Sequence, residues 1–423
     1  MTVLDARQQT AAAAMADQIA AALTVPLSSE FGDDYSPGSP RWRDQSLSKG
    51  AAGVAVLHGL RAQHGLADDK PLRAWLARAT RDDLTAGPGA GLWFGAPALA
   101  FALQVAAPDA YPGATARLDD AVTQLVRTRL DAAHARIDGA HRPSQYEFDL
   151  TRGLVGLGAH VLHRDPGGDL VRQILAYLVR LTEPVEAADE AGAGAPGWWT
   201  SDSSARDRDP AFAAGEANFG MAHGCSGLLV ILALAMRQGV IVDGQAAAID
   251  QICRWLEHWR QPAPAGPWWP ERISLPELHA GRPRQDGPLR PSWCYGTPGL
   301  ARAQQLAALA LGHRARQQAA EDALARCLAD PVQLARISDP ALCHGWAGLL
   351  LTAWHAATEA VTPDVAAHLP HLLDTLLTHA HDTPPGALPG LIEGRAGIAL
   401  TLHTLATTTT GAHGGWPACL LLG

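Results

Sequence analysis

Along this chain the apolar residues fall at helical spacing almost everywhere. In "TARLDDAVTQLVRTRL", residues 115–130, Leu118, Val122, Leu125, Val126 and Leu130 stand at i, i+4, i+7, i+8 and i+12. That is the stripe of a helix with one dry face. "AIDQICRWLEHW" repeats it with Ile249, Ile252, Cys253, Leu256 and Trp259. "GLLVILALAM", "GLARAQQLAALALG" and "GLLLTAWHAA" are apolar or small on most faces, as expected of helices buried among other helices. No segment sustains the period-two alternation of a strand.

The buried-type segments share a preface. "GAAG" opens at Gly50, "GAPA" at Gly95, "GLVG" at Gly153, "GCSG" at Gly224, "GTPG" at Gly296, "GWAG" at Gly345 and "GRAG" at Gly394, at intervals of 45, 58, 71, 72, 49 and 49 residues. Such an interval accommodates one buried helix, one returning amphipathic helix and two loops. Glycine suits a loop that turns sharply into a helix where backbones approach closely. The second motif departs by ending in alanine. The pattern predicts an all-α fold, an α/α toroid of seven helical hairpins whose inner helices are preceded by Gly-x-x-Gly turns. It makes residues 1–423 one domain, with an N-terminal helix over about 1–45 and repeats over about 46–410. Two Pro-, Gly- and Asp-rich stretches, from Glu183 and from Gln261, interrupt the repeats and read as surface loops carrying exposed Trp pairs.

Composition narrows the function. A formal net charge of −9 and 18% charged residues give no electrostatic footprint for nucleic acid or anionic lipid. The N-terminus reads as an amphipathic helix and not a signal peptide, because Asp5 and Asp17 bracket its alanine run. The longest apolar run falls well short of the ~18 residues a membrane span needs. These features point to a cytoplasmic protein without membrane insertion, in which the six cysteines stay reduced.

Three residues just ahead of the turns are metal-ligand types: Cys294, Cys343 and His344. Two cysteines and one histidine suit zinc and leave a fourth position open, as in catalytic sites. Neighbours on a helix point about 100° apart, so Cys343 and His344 share an ion only from a loop, which the turn at Gly345 supplies. Both thiols also lie near helix N-termini, which favour thiolate. Cys253, Cys327 and Cys419 read as small buried apolar residues. Cys225 reads the same way, although its place in "HGCSG" keeps an alternative ligand set open.

"WCYGTPG", "CHGWAG" and "AHGCSG", together with the glycine turns, resemble the lanthipeptide cyclases of the LanC family, over about Ser48 to His403. The resemblance implies an α/α toroid with one zinc ion on Cys294, Cys343 and His344. It implies the addition of peptide cysteine thiols to dehydroalanine or dehydrobutyrine, giving lanthionine or methyllanthionine rings. A zinc-held thiolate stays nucleophilic at neutral pH, and the addition creates an enolate that needs a polar partner and a proton. His223, in "AHG", matches the residue placed to give or take that proton. Asp149, in "YEFDLTRG", matches an aspartate that orients His223 or accepts the thiol proton. Arg290 matches an arginine placed to stabilise the enolate, and Tyr295 is placed to hydrogen-bond nearby. For His223, Asp149, Arg290 and Tyr295 the plainer alternative is a cap or a structural ion pair.

No kinase or dehydratase domain accompanies the repeats, and no insertion between early hairpins is located. The implied protein is a stand-alone class I cyclase acting on a dehydrated precursor peptide made by a separate dehydratase. The competing readings are a LanC-like protein that adds thiols such as glutathione to dehydrated proteins, and a zinc-stabilised scaffold that only binds peptide. A glycosidase- or terpene-cyclase-type toroid is disfavoured, because no paired carboxylates or Asp-Asp-x-x-Asp motif stand at the turns.

Overall fold

A computed structural model of the chain describes residues 4–26, 44–185, 187, 191–202, 209–384, 387–407 and 415–423. Two compact units divide these residues. The first draws on Met1–Leu125, Ser338–Trp354 and Ala366–Cys419, the second on Val126–Ile337, His355–Val365 and Leu420–Gly423.

Seven helices start at the seven glycines: Ala51–Gln63, Ala96–Ala106, Leu154–Arg164, Cys225–Arg237, Thr297–Leu311, Trp346–Thr358 and Arg395–Thr407. Gly50, Gly95, Gly153, Gly224 and Gly296 are N-caps, and none of these helices has a side-chain cap. The first N–H groups of a helix must still find acceptors. Here the preceding loop supplies them from its own backbone. Trp346, Ala347 and Gly348 donate to the carbonyls of Asp339, Pro340 and Ala341, and Arg395 and Ala396 donate to those of Leu388 and Pro389.

This packing explains the second glycine, which lies inside the first helical turn and not in the loop. A Cβ at Gly53, Gly227, Gly299, Gly348 or Gly397 would overlap the carbonyl oxygen six residues upstream, that of Leu47, Met221, Trp293, Leu342 or Leu391. Gly348→Ala is therefore expected to lower the midpoint of thermal unfolding, at a cost of about 1–3 kcal/mol. Gly113→Ala, where an added Cβ meets nothing within 4 Å, is the control and should not lower it.

In the first unit Ala51–Gln63 packs on Lys70–Ala79 and on Ala96–Ala106. The partner of Arg395–Thr407 is the N-terminal helix Ala6–Ala22, begun by an Asp5–Gln8 capping box. Its alanine-rich side, with Ala12, Ala16, Ile19 and Ala20, is buried. The helix stops at Ala22, with Leu23 as its C-cap, well short of the expected end near 45, and residues 27–43 lie outside the described residues.

In the second unit each inner helix packs on the helix that follows it: Leu154–Arg164 on Asp169–Thr182, Cys225–Arg237 on Gln245–His258, and Thr297–Leu311 on Arg314–Leu328. Ile249, Ile252, Cys253, Leu256 and Trp259 form the buried stripe. Val126 and Leu130 here, and Leu118, Val122 and Leu125 in the first unit, are likewise buried.

Two expectations need correction in the second unit. The Trp pairs are buried: Trp198 and Trp199 are 1% and 0% exposed, Trp268 and Trp269 5% and 4%. Their flanking Pro and Gly residues suggest surface, but the indoles find partners inside. Trp199 donates to the Ala214 carbonyl and Trp269 to that of Leu256, while Trp198 meets Trp255 edge-on. The stretch from Gln261 is also not irregular throughout. Arg272–Ser274 pairs antiparallel with Glu216–Asn218, and a Ser274–Glu277 capping box begins the short helix Leu275–Ala280. Three-residue strands are too short to show alternation. Part of the stretch from Glu183, residues 186, 188–190 and 203–208, lies outside the described residues.

Candidate active site

Asp149 and His223 form a bonded pair. The Asp149 side chain is wholly buried, and its Oδ2 lies 2.8 Å from Nδ1 of His223, whose side chain is 31% exposed. Oδ2 also accepts from the Thr151 hydroxyl, and Oδ1 accepts from the N–H groups of Arg152 and Gly153. Four donors thus converge on one carboxylate, which also ties down the start of Leu154–Arg164. Donation from Nδ1 fixes the imidazole tautomer and leaves Nε2 as the nitrogen that can exchange a proton.

The loop that carries His223 is held against the loop that carries Cys294. Met221 N–H donates to the Cys294 carbonyl at 2.9 Å. The absent side chain of Gly220 admits the Tyr295 ring and that same carbonyl. Cys294 is 5% exposed, with its Sγ 3.5 Å from the Ser292 hydroxyl. Ser292 closes the turn: its hydroxyl donates to the Tyr295 carbonyl and accepts from the Tyr295 N–H.

Tyr295 carries a phenol pushed up to about 12, chiefly by burial. Its hydroxyl accepts from the Asn218 amide at 2.9 Å and from Arg272 at 3.5 Å. With both approaches taken by donors, the phenolic proton is left to point elsewhere. Arg272 in turn meets the buried Glu216 at 3.4 Å. Arg290 is half-buried, and its Nε is buried with no hydrogen-bond partner among the described residues.

In the first unit, Cys343 and His344 occupy the turn before Trp346–Thr358. Cys343 is half-buried, and its N–H donates to the Ile392 carbonyl. The His344 side chain is about one-third exposed, with Nε2 3.4 Å from Oδ2 of Asp339. Asp339 and His344 line a cavity of about 510 Å³, with His379, Glu393 and Arg395 also on its wall.

The other cysteines behave as buried apolar residues. Burial pushes the thiol of Cys253 up to about 11 and that of Cys327 up to about 12, and raises those of Cys225 and Cys419 further. Cys225 is fully buried in the first turn of its helix, where desolvation holds it protonated.

A family model described as "Lanthionine synthetase C-like protein" matches residues 41–421. The chain belongs to that family. It is also similar to the nisin biosynthesis protein NisC of Lactococcus lactis subsp. lactis, with 24% identity over 207 residues, 48% of each chain. The match thus spans about half the length of this curated relative. Among solved structures, one titled nisin cyclase is similar with a TM-score of 0.76 and 20% identity, over 90% of this chain and 93% of that one. The likeness shows the fold, the α/α toroid expected from the glycine repeats.

Within this lanthionine synthetase C-like chain, sequence reasoning overlooked Asn218, Arg272, Ser292 and Asp339. A positional signal was available for two of them. Asn218 and Asp339, like Arg290, stand six residues before a helix-starting glycine, with their carbonyl oxygens under Gly224, Gly345 and Gly296. Among the described residues no helix is long and apolar enough to cross a membrane.

Proposed function

We propose that this protein is a zinc-dependent lanthionine cyclase. A cysteine thiol of a precursor peptide adds to a dehydroalanine or dehydrobutyrine of the same peptide, closing a thioether ring. The peptide is dehydrated beforehand by a separate dehydratase, and the chain acts as a single stand-alone domain of class I type in the cytoplasm.

Cys294, Cys343 and His344 would hold the zinc. The donor set supports this by its chemistry. Two thiols and an imidazole are zinc's preferred donors and leave a position for substrate. Zinc bound there would act as a Lewis acid that keeps the peptide thiol deprotonated at neutral pH.

The remaining steps fall to side chains. As the C–S bond forms at the β-carbon, the alkene electron pair moves onto the α-carbon and its carbonyl. The guanidinium of Arg290 and the hydroxyl of Tyr295 are the donors assigned to the resulting enolate. His223 Nε2 takes up the proton lost by the thiol and returns one to the α-carbon, so the peptide's composition is unchanged. Asp149 carries no proton in this scheme. Its four hydrogen bonds suit it to fix the imidazole and to balance the imidazolium charge.

The observation that carries the reading is the buried Asp149 bonded to a partly exposed histidine, which a metal-stabilised binding scaffold does not need. The test uses a thiol-alkylating probe, because ring closure leaves peptide mass unchanged. Incubated with the protein, a dehydrated Ser-, Thr- and Cys-containing precursor should lose one alkylatable thiol per ring, and zinc chelation beforehand should suppress that loss. Thiol loss from the undehydrated precursor, or identical ring patterns with and without the protein, would defeat the reading.

A further inference from the structure

We infer that Asp339 is a positioning residue for His344: it holds the imidazole in the Nε2–H tautomer and so keeps Nδ1 as the nitrogen that can bind a metal. The inference rests on the zinc reading above for its functional meaning, but its geometry lies within the first unit alone.

His344 Nε2 faces Asp339 Oδ2 at 3.4 Å, with the two side chains 34% and 30% exposed. A carboxylate can only accept, so Nε2 can bond to it only when that nitrogen carries the hydrogen. Asp339 is itself immobilised. Its Oδ1 accepts from the Ala341 N–H at 2.9 Å, and its carbonyl accepts from the Trp346 N–H at 3.1 Å. Gly345 makes room for this, since a Cβ there would overlap both the carbonyl and Oδ1 of Asp339. One oxygen therefore braces the turn while the other faces the imidazole. Both residues stand on the wall of the same cavity. A metal-binding histidine commonly donates its second nitrogen to such an acceptor, which raises its basicity and fixes its plane.

Asp339→Asn separates this role from bracing the turn. The amide oxygen can still accept from Ala341, whereas the NH₂ group replaces Oδ2 and donates to Nε2. The hydrogen then moves to Nδ1, where it blocks metal binding. In metal-free wild-type protein, long-range ¹H–¹⁵N correlations of the His344 ring should report the Nε2–H tautomer, and in Asp339→Asn the Nδ1–H tautomer. In competition against a chromophoric chelator, Asp339→Asn should hold zinc about 10–100-fold more weakly, and Asp339→Glu should recover part of the loss. The metal-free Asn variant should melt where the metal-free wild type does. An Nδ1–H tautomer in the wild type, or zinc affinity in Asp339→Asn equal to a zinc-binding wild type, overturns the inference alone. A wild-type protein that takes up no zinc overturns the cyclase's metal requirement and this inference together.

Discussion

Alanine at Cys294, Cys343 or His344 is expected to reduce zinc content from one equivalent per chain to near zero and to bring ring formation down to the uncatalysed background. Each substitution leaves two donors where zinc requires at least three from the protein. The three variants should behave alike, because loss of the ion removes thiol activation whichever donor is lost. Elemental analysis of purified protein measures the metal, and thiol alkylation of the precursor measures the rings. Cys253→Ala is the comparison. Its thiol is buried and pushed up to about 11, so the variant should keep both metal and activity. Full zinc retention in Cys294→Ala would reject the site.

The second large effect separates proton transfer from metal binding. His223→Ala and Asp149→Asn should retain zinc and slow ring formation by roughly 10²–10⁴-fold, the contribution of a positioned acid or base. For Asp149→Asn the reasoning turns on which oxygen is replaced. Oδ1 holds the N–H groups of Arg152 and Gly153, and an asparagine oxygen can continue to do so. The amide NH₂ then takes the place of Oδ2 and donates to His223 Nδ1, which puts the ring hydrogen on Nε2. That nitrogen can no longer accept a proton. Circular dichroism should show unchanged helicity, which assigns the loss to the tautomer. Cyclisation by either variant at the wild-type rate withdraws the catalytic role.

Much of the fold was legible because its signals are local. The helical stripes around Leu118 and Ile249 and the glycine prefaces are set by contacts between residues near in sequence. Asp149 and His223, 74 residues apart, could be paired only through family resemblance, since nothing local says that a carboxylate will meet that imidazole. The Trp198–Trp199 and Trp268–Trp269 pairs were misjudged because their Pro- and Gly-rich neighbours describe the backbone's path and not the packing of the indoles. The docking of Ala6–Ala22 on Arg395–Thr407 joins opposite ends of the sequence, and an alanine face carries no mark of its partner. Asn218 and Asp339 escaped notice as ordinary polar residues.

The carbonyl seated under Gly224, Gly296 and Gly345 separates the part of each of these loops that can change length from the part that cannot. At Gly224, Gly296 and Gly345 that carbonyl stands six residues before the glycine, and one insertion between them would expose the first amides of the helix and misalign the turn. Upstream of that segment the intervals between motifs vary, from 45 to 72 residues. Asp149, His223, Arg290, Cys294, Tyr295, Asp339, Cys343 and His344 all fall within the six residues before a helix-starting glycine. Changes of loop length suited to new peptide substrates can therefore accumulate upstream while the spacing of the reactive groups is preserved, an arrangement in which adaptability and chemistry occupy separate stretches of the same loop.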